Sequence, residues 1–141
     1  MNEEFKFKTE LRVRNYEVDW QGIVHNANYL LYFEVGRIEY LRHLGIPVTM
    51  DTIMGEAKIV VARNEINYRS PARFNDTLDI YTRISSIKNT SFVFEGIMKE
   101  ASSRRLLADN ISVHVWLEAN SETPTRVPDA FREIIREYEG R

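Results

Sequence analysis

The chain contains no cysteine, which excludes disulfide staples, thiolate nucleophiles and cysteine-ligated zinc. It lacks an excess of basic charge as well. Its 19 Lys and Arg stand against 21 Asp and Glu, so nothing draws it to nucleic acid or to an anionic membrane surface. No run approaches the roughly 20 apolar residues that cross a bilayer, and no membrane span is expected. The opening MNEEFKFKTE is charged and lacks the apolar stretch of a signal peptide. A soluble, cytoplasmic protein is therefore the expectation. Repeats, low-complexity tracts and linkers are missing too. At 141 residues the chain reads as one domain, 1–141, able to bury roughly 70% of its unfolded surface.

What is present is mostly period-two patterning. From Phe5 to Arg14, Phe5, Phe7, Thr9, Leu11 and Val13 alternate with charged residues, the pattern of a half-buried strand. A helix is expected from about Asn28 to Leu44, stopped by Gly45-Ile46-Pro47. Its apolar residues cover nearly the whole circumference, which predicts a buried helix. Gly36 in its interior costs roughly 1 kcal/mol of helix propensity; it reads either as close packing against another backbone or as a simply tolerated glycine.

Ala57 to Tyr68 reads as a strand whose apolar parity switches between Val61 and Ile66, suggesting a bulge. Three more strands follow, marked by Leu78 to Ile84, Phe92 to Met98 and Leu107 to Leu117. The short connections at Ser70-Pro71, Lys88-Asn89-Thr90 and Ser102-Ser103 favour antiparallel hairpins. After Pro128 a helix carries Phe131, Ile134, Ile135 and Tyr138 on one stripe. The layout is α+β: an antiparallel five-stranded sheet wrapped around a long central helix, plus a C-terminal helix.

The chemistry concentrates in YEVDWQGIVHNANYLLYFEVGRIEYLR, residues 16–42. Asp19 opens a tight loop carrying Gly22, His25 and Asn26 that runs directly into the central helix. A helix N-terminus offers backbone N–H groups without partners and favours negative charge. A carboxylate beside such donors can activate an attack while the donors stabilise the oxyanion. No G-x-S-x-G elbow is present.

This segment resembles the signature of the 4-hydroxybenzoyl-CoA thioesterase-like branch of hotdog-fold acyl-CoA thioesterases. The resemblance runs through Asp19, Gly22-Ile23-Val24, Asn26-Ala27, Tyr29 and Phe33-Glu34. It continues in Tyr68 to Arg73, Asp76-Thr77-Leu78 and Thr90-Ser91-Phe92. It implies a hotdog fold, hydrolysis of acyl-CoA without a cofactor, and a homo-oligomer of dimers that pair into a tetramer. It implies Asp19 as nucleophile or general base, and the Asn26 amide as the group polarising the thioester carbonyl. A thioester suits a lone carboxylate, because a thiolate leaves with little help from a general acid. The related Tol–Pal gene-cluster branch often carries histidine at the Asn26 position; here His25 stands one residue earlier. His25 either orients Asp19 or a water, or makes an ordinary loop hydrogen bond.

Other residues carry competing readings. Gly22 either permits close substrate approach or simply makes the turn. Tyr29 borders the acyl pocket or belongs to the core. Glu34 is a rival carboxylate on the helix. Lys88, Thr90 and Ser91 are expected near the CoA phosphates and pantetheine, with turn capping as the alternative for the last two and Arg126 as a second charge. Trp20 and Trp116 read as packing residues, and Arg104-Arg105 as a solvated pair. His43 and His114 lack partners at ligand spacing, so no metal is expected. An acyl carrier protein thioester is a second substrate option. A hydratase or dehydratase, or a non-catalytic acyl-CoA-binding protein, is the alternative function.

Overall fold

The structure is a computed structural model describing residues 5–49, 53 and 57–140. Its elements are β1 (Phe7–Arg12), α1 (Asn26–His43), β2 (Ala57–Tyr68), β3 (Thr77–Ile87), β4 (Ser91–Glu100), β5 (Leu106–Glu118) and α2 (Asp129–Glu139). The strands form one antiparallel sheet in the order β1-β3-β4-β5-β2. This is the hotdog arrangement, with α1 packed on β3, β1 and β4. A register shift between Val61 and Arg63 confirms the bulge in β2.

The core lies on both halves of α1. Tyr29, Tyr32 and Phe33 pack with Val13, Val24, Leu78, Ile80 and Met98. Tyr40 and Leu41 pack with Ile84, Phe92, Phe94, Trp116 and Phe131. The second group carries the C-terminal helix, whose Phe131 and Ile135 are buried as the stripe required. Between the halves sits Gly36. A Cβ there would lie 2.7 Å from Thr82 Oγ1 and 2.8 Å from Ile80 Cγ2, so it is side chains of β3, not backbone, that demand the glycine.

Four further expectations need correction. The helix begins at Asn26, two residues earlier than its apolar pattern suggested, because His25 already has extended cap geometry. It is not buried all round: Leu31 is 55% exposed and Val35 is exposed too, since the sheet covers only one side of it. Trp116 is a packing residue, but Trp20 is 91% exposed at a loop tip. Finally, Ser70-Pro71 does not make a hairpin. β2 and β3 are three strand spacings apart, about 14 Å, and residues 69–76 cross the end of the sheet. This crossing segment is the floor on which the Asp19 loop is built.

Candidate active site

The Asp19 loop is a tight turn closed by its own backbone. Asp19 N–H donates to Ile23 O at 2.9 Å, and Gly22 N–H donates to Asp19 O at 2.9 Å. Gly22 has φ +79 with nothing within 4 Å of an added Cβ. The turn therefore needs glycine for its left-handed backbone, and crowding plays no part. The loop is clamped to the crossing segment: Phe74 N–H donates to Gly22 O and Val24 N–H to Ala72 O, each at 2.9 Å.

Asp19 Oδ1 accepts the Gln21 N–H at 2.8 Å and the Ile23 N–H at 3.2 Å. One oxygen thus holds the turn, as aspartate commonly does. Oδ2 accepts no hydrogen bond from the described residues. A group that braces its own loop through one oxygen and presents the other is pre-organised for chemistry.

Asn26 is the first residue of α1. The Asn26 and Ala27 N–H groups have no acceptor among the described residues, as expected in a first helical turn. The Asn26 carbonyl accepts the Tyr68 hydroxyl at 3.2 Å. His25 is exposed; its ring has no hydrogen-bond partner among the described residues, while its N–H donates to Glu17 O at 3.1 Å. Nothing among the described residues aims the His25 ring at Asp19.

Tyr29 is buried, and its hydroxyl accepts the Ala72 N–H at 2.9 Å. It forms one wall of a depression of about 270 Å³ beside Ile23, Asn26, Tyr68 and Pro71. Glu34 is exposed at the mouth of a cavity of about 230 Å³ lined by Arg37, Ile38, Leu41, Phe94 and His114. Burial, and then the adjacent Arg37, push the His114 imidazole down to about 3, so it is neutral near pH 7. His43 packs against Phe7 and Tyr138. Among the described residues no cluster of three His, Asp or Glu stands ready for a metal ion.

Lys88, Thr90 and Ser91 are not gathered with Asp19. Their turn is closed by Lys88 N–H donating to Ser91 O at 2.7 Å and is fastened by Arg132 Nη2 on Lys88 O at 2.6 Å. β3 spans 11 residues from the Asp19 end to this turn, roughly 30 Å of strand.

The sequence reading missed Glu17. It is 7% exposed and hydrogen-bonded to Arg14 and Tyr32. Burial opposes its charge, yet the hydrogen bonds from Arg14 and Tyr32 keep its carboxyl below the usual range. A glutamate between Tyr16 and Val18 carries no periodic signal, and its partner Tyr32 belongs to another element.

Residues 13–135 match the family model described as Thioesterase-like superfamily. The acyl-CoA thioester hydrolase YbgC of Escherichia coli is 36% identical over 133 residues, 94% of this chain and 95% of that protein. The acyl-acyl carrier protein thioesterase ATL3 of Arabidopsis thaliana is 30% identical over 125 residues. The match covers 89% of this chain but only 65% of the plant protein's length. A Thermus thermophilus thioesterase crystallised with coenzyme A and zinc superimposes with a TM-score of 0.83 at 31% identity, over 99% of this chain and 98% of that one. With the loop, the open helix terminus and the fold all in the order that these matches span, the chain belongs to the thioesterase-like superfamily.

Proposed function

We propose that the protein hydrolyses acyl-CoA thioesters to the free acid and CoA, with Asp19 as the catalytic carboxylate. It is a thioester hydrolase. The observation that carries the reading is the Asp19 turn: one carboxylate oxygen braces the loop, the other is open, and the loop leads into unpaired helix N–H groups. The substrate class follows from the hydrolases to which the chain is similar along nearly its full length.

In the reaction the thioester carbonyl oxygen accepts the Asn26 N–H, with the helix terminus stabilising negative charge as it develops. Asp19 either attacks the carbonyl carbon or takes a proton from the attacking water. In the first route attack by Asp19 breaks the C–S bond, the sulfur leaves as a thiolate, and water then cleaves the acyl–Asp19 mixed anhydride to release the acid and restore the carboxylate. In the second, water adds directly to the carbonyl carbon as its proton passes to Asp19, and the C–S bond breaks with loss of the thiolate. After single turnover in oxygen-18 water, label in the Asp19 carboxylate identifies the anhydride route, because a general base takes only a proton from water.

The functional form is a homo-oligomer built from dimers. β2 is an open sheet edge that exposes Val60 and Val61, and an exposed apolar edge is a ready template for pairing with a second chain. A two-fold pairing of β2 edges gives two equivalent sites. It also offers the partner's Lys88-Thr90-Ser91 turn as the holder of CoA when the same chain's turn is out of reach.

Thiol release from matched acyl-CoA and acyl-carrier-protein panels, followed with a thiol-reactive dye, tests the activity and the carrier. Release from CoA esters that disappears in Asp19→Asn is the expected result. No release from any thioester rejects the reading.

A further inference from the structure

Glu17 links the segment after β1 to the approach and first turns of α1. Its carboxylate Oε1 accepts the Arg14 N–H at 2.8 Å, Arg14 Nε at 2.9 Å and the Tyr32 hydroxyl at 2.9 Å. Oε2 accepts Arg14 Nη2 at 2.5 Å. Its main-chain carbonyl meanwhile accepts the His25 N–H at 3.1 Å and Asn28 Nδ2 at 2.8 Å. Arg14 follows β1, His25 and Asn28 flank the two open N–H groups of α1, and Tyr32 lies one turn further along the helix.

The side chain anchors Glu17 in the protein, and the carbonyl anchors the helix terminus to Glu17. Asp19 is only two residues away. The carboxylate and the oxyanion donors are thus referenced to one residue, which limits how far one can drift from the other.

We propose that Glu17 is the positioning residue of this site, fixing the Asp19 turn against the first turn of α1. This rests on the reading of Asp19 as the catalytic carboxylate. Glu17 itself contacts no substrate: its carboxylate oxygens are engaged by Arg14 and Tyr32, and it is nearly buried. Its effect is therefore on the geometry of attack, where a displacement of 1 Å can cost about 100-fold in rate.

A double-mutant cycle on the oligomer as purified tests this, with kcat and KM measured by thiol release. Glu17→Ala is expected to lower kcat by at least about 10-fold with KM changed less than about 3-fold. In the Asp19→Asn background the same change should lower kcat less than about 3-fold, because residues acting as a unit are not additive. Tyr32→Phe, which removes only the phenol donor, should show the same pattern at smaller size, and it serves if Glu17→Ala does not fold. An equal loss in both backgrounds overturns the proposal, since Glu17 then acts on the fold at large. So does a kcat within about 2-fold of wild type in Tyr32→Phe together with a folded Glu17→Ala. If Asp19→Asn alone keeps wild-type turnover, the Asp19 reading has failed on its own account, and the cycle shows this separately.

Discussion

Gly36 of α1 faces Thr82 of β3 so closely that a methyl group on it would sit 2.7 Å from the threonine Oγ1. Two effects oppose each other in Gly36→Ala. Alanine gains roughly 1 kcal/mol in helix propensity, while forcing a methyl into a filled core costs roughly 1–3 kcal/mol. Thr82 and Ile80 are buried on the sheet and have little room to retreat, so overpacking wins. Gly36→Ala is expected to lower the denaturation midpoint; a midpoint above wild type contradicts the packing argument.

Asp19→Asn keeps the shape of the turn, since the amide oxygen can still accept the Gln21 and Ile23 N–H groups. It removes the base and nucleophile. A fall in kcat of at least about 100-fold is expected, with the melting temperature little changed. Glu34→Gln is expected to stay active. The reverse outcome, an active Asp19→Asn and an inactive Glu34→Gln, moves the chemistry to the helix.

His114 makes stability depend on acid. In the folded protein burial and Arg37 hold it at about 3, against about 6.5 when unfolded. Between those values the unfolded chain binds the extra proton, so stability falls as pH drops from about 6.5 toward about 3. The slope from this residue approaches about 1.4 kcal/mol per pH unit. Denaturant titrations of wild type and His114→Asn across that window should differ by this slope. Parallel curves would mean that the imidazole is protonated in place.

The open β2 edge predicts an assembly-dependent activity. Val60→Lys places a charge on the exposed edge, a device by which sheets resist pairing. Light scattering should show a shift toward monomer, accompanied by loss of thioester hydrolysis. A fully active monomer at assay concentration refutes the shared dimer.

Lys88→Ala is expected to raise KM for acyl-CoA a few-fold, leave kcat nearly unchanged and flatten the dependence on salt. Exposed ionic contacts are worth about 1 kcal/mol or less and are screened. An unaltered KM, insensitive to salt, puts the CoA phosphates elsewhere.

The local pieces could be read from the order of residues alone. Alternation from Phe5 to Arg14 became the shorter strand β1, Phe7–Arg12, while the parity switch in β2 and the stripe from Phe131 to Tyr138 became the bulge and the helix they described. Side-chain period follows directly from backbone geometry, so it is readable within a few residues. The turn at Asp19 was legible for the same reason, because Asp19 and Gly22, three residues apart in a tight loop, act on their own backbone. Long-range packing set which strands became edges, sent residues 69–76 across the sheet end, turned Trp20 outward and kept Lys88 far from Asp19 within one chain. It also decided that Glu17 is buried, because the partners that make its burial tolerable are Arg14 and Tyr32, the latter 15 residues away on a different element. A charged side chain carries no periodic trace of such a partner; its cost and its compensation exist only once the chain has closed around it.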